Sequence, residues 1–117
     1  MTLALPTVRF DFPLYEKVTP KSFRFATDQT DVPTSTAVLK IRADVDSAVL
    51  LTLSSPTDIT MGSDNAITIT FTTAHFTTLL AAWLGVPLVY DLLVTPSSGT
   101  PQIGLTGTIV LSRTISR

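Results

Sequence analysis

The chain of 117 residues contains no cysteine, which excludes a disulfide framework, a thiolate nucleophile and any cysteine-ligated metal. It holds a single histidine, His75. A zinc or copper site built on one imidazole would have to rely on carboxylates, a poor match for either ion. No apolar run approaches the roughly 18 residues that a membrane-spanning helix needs. The opening stretch "MTLALPTVRFDF" has no basic region and is broken by Pro6 and then by charges, so it does not read as a signal peptide. An excess of either charge is also missing: eight basic side chains face nine acidic ones, for a net charge of -1. That balance removes the basic footprint of a nucleic-acid binder and the attraction to an anionic membrane surface. The expectation is one domain over residues 1–117, made in a cytoplasm and long enough to bury one hydrophobic core.

What the sequence does have is threonine and a period of two. Both favour strands. In "VRFDF", Val8, Phe10 and Phe12 alternate with Arg9 and Asp11; in "SFRFA", Phe23 and Phe25 flank Arg24. "VLKIRA" sets Leu39, Ile41 and Ala43 against Val38, Lys40 and Arg42, and "VLLTLS" sets Val49, Leu51 and Leu53 against Leu50, Thr52 and Ser54. "AITITF" repeats the pattern with Ile67, Ile69 and Phe71. The last two runs place Leu88, Tyr90, Leu92 and Val94, then Leu105, Gly107, Ile109 and Leu111, on one face. Between them lie turn segments, "DQTDVPTS", "SSPTD", "MGSDN" and "PSSGTPQIG". About seven short strands, each with one wet face, predict an all-β fold: an immunoglobulin-like antiparallel β-sandwich.

One segment departs from that period. "TTAHFTTLLAAWLG" spaces Phe76, Leu79, Leu80 and Trp83 as a helix does, with Thr72 or Thr73 as N-cap and Gly85 then Pro87 as the stop. This predicts one short helix crossing between the sheets, with Trp83 plugging an end of the core. His75 falls in its first turn, where the positive end of the helix dipole disfavours an imidazolium. It is expected to be a polar residue on the outer side of the helix rather than a base.

Carboxylates offer little more. Asp44 and Asp46 in "RADVDS" lie two apart, a spacing that could serve calcium or acid–base chemistry, but no calcium loop surrounds them and a solvated turn is the expectation. Asp91 sits within "VYDLLVT", on the face opposite Tyr90 and Leu92, where the pleat accounts for it without catalysis. No phosphate-binding glycine loop, dinucleotide fingerprint or nucleophile elbow occurs. The chain is therefore expected to lack enzymatic activity, cofactor and metal. The residual signal is apolar character on outward faces: Leu50, Val89, Leu93 and Val110, with Asp91 among them, form the candidate interface.

The order of segments also resembles a known family. "DFPLYEKVTPKSFRF", "AVLKIRAD", "VLLTLSSPTDITMGSDNAITITFTTAHFTTLLA", "YDLLVT" and "GTIVLSRTISR" are similar, in that order, to small tailed-phage virion proteins. The likeness is to the N-terminal immunoglobulin-like domain of the upper baseplate proteins of lactococcal phages. The matching positions are Pro13, Leu14, Arg42, Ile59, Thr60, Ile67 to Phe71, Thr73, Tyr90 to Leu92 and Gly107. Two departures stand out: Glu16 and Lys17 occupy the region of a frequent glycine, and "TDQTDVPTSTA" replaces the family's Asp-Leu-Thr-Gly turn. The resemblance implies a virion structural subunit of the tail, baseplate or neck, present as a symmetric homo-oligomer and bound to other virion proteins. In that setting the arms "MTLALP" and "SRTISR" would reach neighbouring subunits. The alternatives are a capsid decoration protein and a carbohydrate- or receptor-binding module.

Overall fold

The computed structural model describes residues 8–15, 20–26, 32–82, 86–97 and 100–112. The strands are β1 (Val8–Arg9), β2 (Phe12–Tyr15), β3 (Lys21–Ala26), β4 (Thr36–Arg42), β5 (Val49–Ser54), β6 (Ile59–Met61), β7 (Ala66–Phe71), β8 (Leu88–Thr95) and β9 (Gln102–Ser112). One helix, α1 (Thr73–Ala82), links β7 to β8. Alternation of apolar and polar residues splits these strands between two sheets that bury their apolar faces against each other. One sheet runs β1-β9-β8-β4-β5 with β2 also on β9; the other runs β3-β7-β6. This is the strand order of an immunoglobulin-like sandwich, with β3, β7 and β6 as strands B, E and D, and β9, β8, β4 and β5 as G, F, C and C′.

The core is the predicted one for most strands. Leu39, Ile41, Leu53, Ile69, Phe71, Leu88, Leu92, Val94 and Ile109 are all buried in a single cluster. Phe12 lies at its centre, with rings of Phe10, Phe23, Phe71 and Tyr90 between 4.9 and 5.2 Å away.

Several expectations need correcting. The described residues form nine strands rather than about seven, and the first pairings are parallel, not antiparallel: Val8 lies opposite Leu105 and Phe12 opposite Ile109. The run "VRFDF" is not one buried strand, because it breaks at Phe10–Asp11 and Val8 is exposed. Ile59–Met61, flanked by two segments read as turns, pairs with β7 as β6. β9 begins at Gln102 and absorbs the end of the segment read as a loop. Trp83, Gly85 and both terminal arms lie outside the described residues.

The helix starts as expected but is fixed more tightly. Thr72 Oγ1 accepts the His75 N–H at 3.2 Å, and His75 Nδ1 accepts the Thr72 N–H at 3.0 Å. This is a capping box with histidine in the position usually held by Glu or Gln. His75 is therefore half-buried, not on the outer side, and its Nε2 lies 3.4 Å from Asp58 Oδ1. Thr72→Ala is expected to cost about 1 kcal/mol, read as a shift of the thermal midpoint. His75→Gln should retain more stability than His75→Ala, since glutamine supplies the same reciprocal acceptor.

Candidate functional site

Register fixes which side chains share the outer face of the six-stranded sheet. Arg9, Thr106, Asp91, Lys40 and Thr52 form one cross-strand row. Thr108, Val89, Arg42 and Val49 form the next, and Ile103, Leu93, Val38 and Ser54 lie on the other side of the first. Rows two residues apart are about 7 Å apart along the strands, so a charged band separates two partly apolar ones. Val110 lies further along β9, opposite Pro13.

Of the candidate interface residues, Val89, Asp91 and Leu93 come together on β8, all half-buried, and Val110 is 39% exposed. Leu50 does not join them. The β4–β5 register slips between Ile41 and Arg42, so that Ile41 faces Leu51 but Arg42 faces Val49. The extra residue, Leu50, packs against the core, and Val49 takes the outward place, 39% exposed. Three apolar members of this face went unnoticed in the sequence. Val38 was legible, because it has the opposite parity to Leu39 and Ile41. Val49 was hidden by the bulge, and Ile103 by the glycine- and proline-rich stretch around it.

Asp91 has a lysine, Lys40, directly across from it on β4 and Arg42 diagonally placed. A shallow hollow of ≈ 250 Å³ opens at this point, lined by Arg9, Arg42, Val45, Val89, Asp91 and Thr106 among others. Tyr90, Gly107 and Thr108 complete its lining, and Gly107 abuts the junction where β1 gives way to β2. There the Phe10 N–H donates to the Thr106 carbonyl at 2.9 Å, and the buried Tyr90 hydroxyl donates to the Phe10 carbonyl. Burial raises the Tyr90 pKa, and the nearby Asp11 carboxylate adds to the rise. Asp11 Oδ1 accepts from the Thr108 N–H at 3.0 Å and from its hydroxyl at 2.9 Å, and it pairs with Arg9 at 3.2 Å. A side-chain carboxylate thus takes the place of the ladder carbonyl that the break removes.

These contacts set an acid response. The Thr108 hydrogen bonds, with Arg9, lower the Asp11 pKa, and Arg24 at 2.6 Å with the Ala66 N–H lowers that of Asp64. A carboxyl depressed in the folded state stabilises it above the ordinary pKa and loses that contribution as pH falls through the depressed one. Below about pH 4, the thermal midpoint of the native chain should fall more steeply than that of an Asp11→Asn/Asp64→Asn variant. Parallel slopes in a pH series of melts would contradict this.

His75, Asp58 and Asp44 are engaged in structure. Both nitrogens of His75 face partners, the Thr72 amide and the Asp58 carboxylate, while Asp58 also joins Ser54 and Thr70 through its backbone at 2.9 and 3.0 Å. Together they tie the β5–β6 turn to the start of α1. Asp44 accepts the Asp46 N–H at 2.9 Å, so the two acids shape the exposed turn expected of them. Among the described residues, no three His, Asp or Glu side chains cluster as a metal site would require. Tyr90, at 4% exposure, cannot serve as a stacking platform, and Tyr15 is the exposed aromatic among the described residues. No protein-family profile matches the chain, and no characterised protein matches it in sequence.

Proposed function

We propose that this chain is a non-enzymatic virion structural subunit, an adaptor or attachment component of a phage tail, baseplate or neck that works through protein–protein contacts. The observation that supports it is the outer face of the six-stranded sheet. Val38, Val89 and Leu93 are half-buried there, beside the more exposed Val49, Ile103 and Val110, and a band of Arg9, Asp91 and Lys40 runs between them. Apolar area gives contact energy and the charged band gives register, the division of labour seen in protein interfaces. The phage setting comes from the resemblance in the order of sequence segments.

Mass spectrometry of purified particles from the encoding phage tests the setting: the chain belongs in the particle at a stoichiometry of a symmetric ring. Its presence only in the soluble lysate would overturn the reading. The surface is tested with Leu93→Glu and Val110→Glu, each expected to cost about 1 kcal/mol of folding stability or less while abolishing incorporation. Particles that assemble normally with both variants would remove this face from the interface. Incorporation around the major capsid protein instead would favour a decoration role.

A further inference from the structure

The outer face of the six-stranded sheet carries a charge pattern that fits a copy of itself. At its centre, β8 and β4 set Asp91 opposite Lys40, Leu93 opposite Val38 and Val89 opposite Arg42. Asp91 and Lys40 form no ion pair with each other, and among the described residues neither they nor Arg42 pair with any other charged group. Three charges thus stand among apolar side chains on one face, available to a partner.

Sheets that stack face to face keep their strands within about 30° of each other, so a two-fold axis between two such faces runs either across the strands or along them. An axis across the strands at the charged row would set Asp91 on Asp91 and Lys40 on Lys40. One along the strands, midway between β8 and β4, sets Asp91 of each copy on Lys40 of the other. The same axis brings Leu93 onto Val38, so apolar contact and charge pairing coincide. Five strands side by side and the eight residues of β8 outline a face of about 24 by 26 Å. Covering it on both copies removes about 1,200 Å² of surface, the lower end of the range for stable interfaces.

The same stacking gives the hollow an occupant. An axis along the strands preserves height along them. The β4–β5 turn of one copy therefore comes to lie over β9 and β8 of the other, where the hollow opens. That turn is Asp44-Val45-Asp46, and Val45, 79% exposed, lines its own copy's hollow at the same height. Within the hollow Val89 offers apolar surface, flanked by Arg42 and by Arg9, which has donors left beyond its contact with Asp11. A valine between two carboxylates matches a small apolar depression between two guanidiniums in shape and in charge. We propose that a second copy of this chain covers the outer face, in a two-fold dimer that pairs Asp91 with Lys40 and seats Val45 of each copy in the other's hollow.

The dimer rests on the reading of the outer face as an interface and names what covers it. Analytical ultracentrifugation of the purified chain tests it apart from any particle. The native protein should sediment as a dimer at high micromolar concentration. Asp91→Lys and Lys40→Asp should each raise the dimer Kd at least about tenfold, since each places like charges together twice. Mixing the two variants should restore a dimer, because each supplies the charge that the other lacks. The double variant should dimerise with itself but not with the native chain. Val45→Arg, in an exposed turn, should weaken the dimer at least about tenfold and leave the thermal midpoint unchanged.

A native chain that stays monomeric at millimolar concentration would overturn the proposal, as would folded single variants that fail to associate when mixed. Single variants that dimerise as tightly as the native chain would do the same. A monomer that still needs Leu93 for incorporation into particles would overturn the dimer and keep the virion reading. A dimer that is absent from particles would keep the dimer and overturn that setting.

Discussion

Phe12→Ala is expected to destabilise the fold by about 3–5 kcal/mol, lowering the thermal midpoint by roughly 10–25 °C for a domain of this size. Phe12 has no solvent exposure and sits edge-on to Phe10, Phe23, Phe25 and Phe71, with Tyr90 tilted against it. These partners come from β3, β7, β8 and the β1–β2 junction, and so from both sheets. Truncation leaves a cavity that no single strand can collapse into without losing register with its neighbours. Phe25→Ala is the control, since its ring is half-exposed and less apolar area is lost. Denaturant melts with an unchanged slope would locate the effect in the native state. A loss for Phe12→Ala no larger than that for Phe25→Ala would contradict the central position assigned to it.

The second large effect belongs to Gly107→Ala, expected to cost about 3 kcal/mol or more. Gly107 pairs with Tyr90 at the junction of β1 and β2, and its φ of +154° is one that L side chains rarely adopt. An added Cβ would collide with the Phe10 carbonyl oxygen and come within 2.9 Å of the Phe10 carbonyl carbon and of Asp11 Oδ1. Two of the three nearest atoms are backbone, so relief requires moving the first strands away from β9. That movement would also separate the Tyr90 hydroxyl from its acceptor and Asp11 from Thr108. Gly104→Ala provides a comparison within the same strand. A Gly107→Ala protein that melts with the native chain, and keeps slow exchange at the Phe10 amide, would show that the junction yields more easily than its geometry indicates.

The sandwich was readable in the sequence because most strands obey a strict alternation. β8 buries every second residue from Leu88 to Val94, as its pattern demands. What escaped is where alternation is interrupted or carries on past the packed region. Val8 has the parity of Phe10 and Phe12, yet it is exposed. The bulge that turns Leu50 inward and Val49 outward is a property of two paired strands, and a sequence read one strand at a time cannot show it. A second slip occurs between Leu92 and Leu93, where β9 advances from Leu105 to Ile103. The role of His75 was missed for a related reason: capping boxes are recognised by Glu or Gln, and an imidazole with one free lone pair can do the same work. The candidate surface was thus legible on β8, where Val89, Asp91 and Leu93 follow from parity. Its extension to β5 and the start of β9 depended on pairing.

The parallel pairing of β1 and β2 with β9 also has a mechanical consequence. Val8 lies beside Leu105 at one end of the sandwich, and Tyr15 lies beside Ser112 at the other. Tension between residues 8 and 112 therefore runs along both strands and shears their contact lengthwise. The backbone hydrogen bonds, the Asp11–Thr108 bridge and the Tyr90 anchor share the load together instead of opening one after another. A pull applied across residues 49 and 112, which lie toward the same end of the sheet, gives the single-molecule comparison, with a lower unfolding force expected than along 8 and 112. A subunit strung between two neighbours by its ends would be gripped hardest along that line.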